Sequence, residues 1–178
     1  MASRQTKLNK TVRLWTSYQT TTGALAVPAD VATAPTADGT DGYIKTPRYG
    51  ESLSDNNVII QVAGTDAANE DGKFTLYGVD HVDAGVTNVY HHTPLLYVTY
   101  TLGALATGDS DTYWADTLAA DVNIAGATIH SNQTALFGAD AAARILMDYH
   151  GYAWLYGDVD VDAGSTASAS ANLFFRFI

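Results

Sequence analysis

Two stretches of this chain repeat one another at a fixed distance. Gly72-Lys-Phe-Thr-Leu-Tyr-Gly78 is followed by Val82-Asp-Ala-Gly85, and Gly151-Tyr-Ala-Trp-Leu-Tyr-Gly157 by Val161-Asp-Ala-Gly164, every match being offset by 79 residues. Eight coincident positions (Gly, Leu, Tyr, Gly, Val, Asp, Ala, Gly) make chance the weaker account, so the fold must use one local unit twice. Apolar runs flank each copy: Val58–Val62 and Tyr97–Leu102 around the first, Ile145–Tyr149 and Leu173–Ile178 around the second. The echo therefore predicts two three-strand meanders, 57–102 and 144–178. The glycine of each Asp-Ala-Gly would supply the positive φ of a turn.

Hydrophobic periodicity agrees with strands, because it has period two far more often than 3.6 and is broken by Gly, Asp and Asn clusters. It predicts strands at Thr11–Tyr18, Asn57–Ala63, Lys73–Val79, Val89–Leu102, Asn123–Ile129, Arg144–His150, Tyr152–Val159 and Ala171–Ile178. Leu96, Val98, Tyr100 and Leu102 share one face while Tyr97, Thr99 and Thr101 take the other, the pattern of a strand with one buried face. Helix is expected only in short pieces such as Ala139–Ala143. The fold class expected is all-β, an antiparallel β-sandwich of jelly-roll type with an extended N-terminal arm. Residues 1–56 would hold the arm, the first strand and a long loop, and 57–178 the sandwich body.

Charge divides the chain in the same way. Its 178 residues carry nine basic and nineteen acidic side chains, a net charge of −10. Arg4, Lys7, Lys10 and Arg13 stand before the first acid, Asp30, so an arm of +4 precedes a body of five basic and nineteen acidic residues, a balance of −14. An acidic body excludes a generic nucleic-acid binder, which needs clustered Lys and Arg. The absence of cysteine excludes disulfide scaffolds, thiolate zinc sites and cysteine nucleophiles. No apolar segment follows the basic start, as a secretory signal would require, and no apolar run reaches membrane-spanning length. The reading is a chain made in the cytoplasm, with no membrane partner.

Catalytic signatures are missing where they are most recognisable: there is no GxxxxGK[ST], GxGxxG, GxSxG or HExxH. His91 and His92, being adjacent on a strand, point to opposite faces and cannot serve one metal site together. Asp158, Asp160 and Asp162 alternate and would project to one side of an extended backbone, where Ca²⁺ with oxygen ligands would relieve their repulsion. A solvated acidic edge that discourages strand pairing is the plainer reading of the same three residues, so no cofactor is expected. Trp15, Trp114 and Trp154 with Tyr113, Tyr152 and Tyr156 could form a sugar-stacking platform, but Trp154 between Tyr152 and Tyr156 reads as core by alternation, and Trp15 and Trp114 are open to either role.

The run Val62-Ala-Gly-Thr-Asp-Ala-Ala-Asn69, the Gly72–Gly78 copy, Thr99-Tyr-Thr-Leu-Gly103, Tyr113-Trp-Ala-Asp-Thr-Leu118 and a closing hairpin around Asp148-Tyr-His-Gly-Tyr152 resemble small virion structural proteins of tailed bacteriophages. The resemblance covers roughly Val58 to the C-terminus. It implies a capsid decoration (cement) protein: a non-enzymatic subunit on the capsid surface, with the major capsid protein as partner and self-association, in trimers for example. Arg4, Lys7, Lys10, Arg13 and Trp15 form the candidate partner-docking arm, since an irregular arm can present basic residues spaced by threes. The alternative is a carbohydrate- or receptor-binding module of the head or tail, which would expose its aromatics.

Overall fold

The computed structural model describes residues 11–15, 29–35, 42–46, 57–64, 71–83, 88–106, 113–130, 142–161 and 171–177. They form ten strands: β1 (Thr11–Trp15), β2 (Tyr43–Lys45), β3 (Asn57–Gly64), β4 (Asp71–Asp83), β5 (Asn88–Ala106), β6 (Tyr113–Asn123), β7 (Thr128–His130), β8 (Arg144–Asp148), β9 (Trp154–Val161) and β10 (Ala171–Phe177). Every pairing is antiparallel. No helix occurs among the described residues; Ala142 and Ala143 of the expected helical turn are irregular chain leading into β8, and the rest of that turn lies outside them.

The ladder is one open sheet in the order β1-β10-β3-β6-β5-β4-β9-β2, which forks at β3. One edge of β3 pairs with β10. The other is shared, Asn57–Ile60 pairing with β8 and Ala63–Gly64 with β6, and β8 in turn carries β7. Strand alternation supplies the core from both sides of the fork: Val58, Ile60 and Val62 of β3, Leu173 and Phe175 of β10, Ile145 and Met147 of β8, Phe74 and Leu76 of β4, Leu96 and Val98 of β5, Leu155 and Val159 of β9. Most of these side chains are fully buried, so the two arms of the fork share one apolar interior.

The echo turns out to mark neighbours rather than repeated meanders. β3 does not pair with β4, nor β8 or β10 with β9; instead the two copies lie side by side. Leu76 pairs with Gly157, Tyr77 with Tyr156 and Gly78 with Leu155, so the two Leu-Tyr-Gly tripeptides meet antiparallel about a local two-fold between the tyrosines. The meanders predicted for 57–102 and 144–178 are thereby corrected. Of the first, the β4–β5 hairpin forms; of the second, none of the expected pairings does. Periodicity identifies strands, but partner choice depends on which faces can bury each other, and that is non-local.

Glycine in the echo is a packing requirement. A Cβ on Gly72 would run into the Tyr100 ring, and one on Gly78 into the Tyr152 ring. The second copy starts at a tight turn in which His150 (φ 52°) and Gly151 (φ 75°) are both left-handed and Tyr152 N–H donates to the Tyr149 carbonyl at 3.1 Å. Asp148 accepts from the His150 amide, and the His150 ring contacts the Ala125 carbonyl at 3.1 Å, which holds a non-glycine residue in this conformation. The turn reverses the chain without making the expected hairpin, because β8 and β9 leave it toward different partners.

Candidate functional site

The expected docking arm is partly described. Arg4, Lys7 and Lys10 lie outside the described residues, while Arg13 and Trp15 belong to β1, in register with Phe174 and Asn172 of β10. β1 ends the sheet: among the described strands its one ladder partner is β10. Its Cα atoms come within 8 Å of those of β2, the strand at the other end, without a ladder between them.

The acidic run divides three ways. Asp162 lies outside the described residues. Asp160 is placed opposite Lys73 in the β4–β9 register, and Asp158 opposite Thr75. Asp158 is buried rather than solvated, at 9 % exposure, which corrects the acidic-edge reading at that position. Among the described residues no group of three or more His, Cys, Asp or Glu is arranged to hold a metal ion.

The most organised side chains lie on the sheet face opposite the main core, over β2, β9, β4 and the first half of β5. Leu155, Gly157 and Val159 of β9 point to the core, so Trp154, Tyr156 and Asp158 take the other face; Trp154 is half-buried there, a correction to its expected core position. Register adds Tyr43 of β2 opposite Tyr156, Tyr77 of β4 opposite Tyr156, and His92 of β5 opposite Val79. The ring contacts fall into two groups, Tyr43, Tyr77, His92 and Tyr156 in one and His81, Tyr90 and Trp154 in the other. Tyr43 and Tyr156 have centroids 4.6 Å apart, His92 meets Tyr156 edge-on at 5.5 Å and Tyr77 edge-on at 6.3 Å, and Tyr90 meets Trp154 edge-on at 5.4 Å. Edge-on contacts suit the positive rim and negative face of aromatic rings. They also turn these rings toward one another, whereas a sugar-stacking platform needs flat faces presented outward. Trp114 packs on Phe174 at 5.1 Å with the rings tilted by 53°.

His92 is the histidine of the first group, and it is 1 % exposed. Its Nε2 lies 2.8 Å from the Tyr43 hydroxyl; its Nδ1 is buried with no hydrogen-bond partner. Burial lowers its pKa from 6.5, Asp30 works against that and His91 adds to it. The expectation that His91 and His92 face opposite ways holds, His91 being exposed and 2.8 Å from Asp30. His92 is thus neither a surface histidine nor one with both ring nitrogens satisfied. Tyr156 is pushed up to about 12 by burial first, then by Asp158, Tyr43 and Tyr77. Tyr77 is raised by burial and by Asp158, with the Thr75 hydroxyl acting in the opposite direction.

These groups, Tyr43, Tyr77, His92 and Asp158, are what sequence reasoning missed as a set. The available signal was the echo itself, which places Tyr77 and Tyr156 at equivalent positions, on the face that Leu76 and Leu155 do not use. Comparison of the chain with protein-family models, with curated proteins and with solved structures gives no match.

Proposed function

We propose that the chain is a non-enzymatic virion structural subunit that binds the outer surface of a phage capsid and stabilises the shell at capsomer junctions. The observation that carries this reading is the placement of the basic run: Arg4, Lys7 and Lys10 lead straight into β1, which carries Arg13 and is the outermost strand of an otherwise acidic molecule. Among the described strands the outer edge of β1 has no ladder partner, and such a sheet end, approached by positive charge, fits an acidic partner by strand addition and charge complementarity together. The resemblance of the runs Val62–Asn69, Gly72–Gly78, Thr99–Gly103, Tyr113–Leu118 and Asp148–Tyr152 to tailed-phage virion proteins supports the same role. Binding to the assembled shell and not to its separated parts stabilises the shell by the binding free energy, and repetition over many sites multiplies the effect.

The finer architecture belongs to this proposal. The strands β10, β3, β8 and β7 would fold over β6, β5, β4, β9 and β2 as the two layers of a jelly-roll-type sandwich; the interior shared by both arms of the fork supports it. The partner would be the major capsid protein, and the subunit would self-associate as it docks, with a trimer at a three-fold junction as the simplest arrangement.

The test is occupancy on purified capsids. Replacing Arg4, Lys7 and Lys10 by Glu spares every residue of β1, so the fold is kept while the charge is reversed. Three lost ion pairs at ~0.2–1 kcal/mol each predict an affinity lower by roughly threefold to 150-fold, with a weaker salt dependence. Occupancy equal to that of the unaltered chain would refute the docking role.

A further inference from the structure

The residues that precede β3 are held to β5 and β9 by backbone hydrogen bonds and by two adjacent side chains of β5, His91 and His92. Val31 forms a two-way backbone bridge with Tyr90, at 2.8 and 3.2 Å, and Asp30 contacts the His91 ring at 2.8 Å. Farther along, Gly42 O accepts from Gly157 N–H at 3.1 Å, Tyr43 meets His92, Ile44 enters the core at 2 % exposure, and the Thr46 amide donates to Ala153 O at 3.1 Å. The described parts of 29–46 thus form a strap across β5 and β9, and the one buried titratable group beneath it with an unmet ring nitrogen is His92.

We propose that His92 makes this strap an acid-sensitive clamp, which grips the sheet when the imidazole is neutral and loosens when it is protonated. A neutral ring has one N–H. Whichever tautomer forms, it satisfies Nε2 against the Tyr43 hydroxyl, and an unmet Nδ1 is the smaller loss. Protonation puts a hydrogen on both nitrogens and a full charge among rings. Nδ1–H then has no acceptor, and a buried charge without a partner is costly.

The charged and titratable groups around His92 decide the sign. From β2 it faces the Tyr43 phenol, from β4 Tyr77 and from β9 Tyr156. Asp158 lies beyond the two tyrosines and acts on them. Asp30 of the strap favours the charged ring, and His91, its neighbour on β5, disfavours it when charged. Desolvation outweighs Asp30, whose contact with His91 is half-exposed and therefore weak. The folded form consequently holds its proton less tightly than the unfolded chain. The grip is complete above the unfolded value of 6.5 and is lost as pH falls from there toward the lowered folded value.

Amide hydrogen exchange on the intact chain tests the clamp, expressed as protection factors so that intrinsic exchange rates cancel. Between pH 7.5 and pH 5, protection at Tyr90, Thr46 and Gly157 should fall by about tenfold while that at Val62 and Phe175 in β3 and β10 changes little. His92→Phe keeps the ring and removes the proton site, so its strap amides should lose no protection over the same range. Because that variant can fail to fold, the His92 ring is also titrated in the unaltered chain by NMR. A midpoint at or above 6.5, an unchanged strap at pH 5, or the same acid loss in His92→Phe would each overturn the proposal.

Discussion

At the residue scale, the echo's glycines and tyrosines do different work. Gly78 has no room for a methyl group because the Tyr152 ring lies over it, and that ring packs on the main core. Gly78→Ala must displace Tyr152 or bend β4, at a cost of about 1–3 kcal/mol, read as a lower denaturation midpoint at unchanged slope. Restoration of much of that loss by adding Tyr152→Leu would tie the cost to the ring. Tyr156 answers a different question, because its ionisation is resisted. Its folded pKa, about 12, exceeds the ordinary 10, so the resulting stability is complete below pH 10 and is lost as pH rises through 12. Discounted for the partial exposure of the ring, the rise is worth on the order of 1–2 kcal/mol. Following tyrosinate absorbance and unfolding together between pH 9 and 12, Tyr156→Phe should unfold at a higher pH than the unaltered chain. An identical alkaline limit would show that the phenol is not what fails.

At the scale of the element, most strands were legible and most pairings were not. β3, β4, β5, β8, β9 and β10 all appear where alternating apolar residues predict them, with ends shifted by a few positions. β6 was invisible because its buried residues break period two. The register slips so that Thr101 pairs with Thr117 but Leu102 with Ala115, and the bulge at Asp116 brings Ala115 and Leu118, three apart, to the same side. β2 is three residues long inside a Pro- and Gly-containing stretch, too short for any period to show. Asn123–Ile129 reads as one strand from its alternation but is strand only at its ends, Asn123 closing β6 and Thr128–Ile129 opening β7; residues 124–127 turn between them, because the Asn123 side chain accepts from Ala127 N–H at 2.8 Å and donates to Ala127 O at 2.7 Å, closing the loop on itself. The aromatic face was legible only as a list of tyrosines; joining Tyr43 to His92 needs a contact across 49 residues. The C-terminal strand, by contrast, was plain in Leu173, Phe175 and Phe177. It lies between β1 and β3 with Leu173 and Phe175 fully buried, so removing residues 173–178 strips a ladder from both neighbours. That truncation should leave no cooperative melting transition, and a soluble fragment that melts cooperatively would sink the expectation.

For the whole molecule, the fork at β3 poses the question of whether the sheet behaves as one body. β3 gives half an edge to β8 and the rest to β6, so the two arms are joined by a few backbone hydrogen bonds, too few to couple them alone. The coupling must come from the interior, where Phe175 and Leu173 of one arm bury the same apolar volume as Phe74, Leu76 and Leu155 of the other. Neither arm can keep its face dry without its counterpart, which predicts all-or-none unfolding. Two natural reporters make this testable, since Trp114 lies beside Phe174 near the fork and Trp154 beside Tyr90 at the far end of the sheet. Variants retaining only one of these tryptophans, with Phe at the other two positions, should give superimposable denaturation curves at pH 7.5, where the strap is gripped. Phe175→Ala should move both curves together by about 3–5 kcal/mol, although the cavity it opens lies in one arm only. If the Trp114 signal moved while the Trp154 signal stayed, the arms would be separate units, and the single interior that joins them would have to be abandoned.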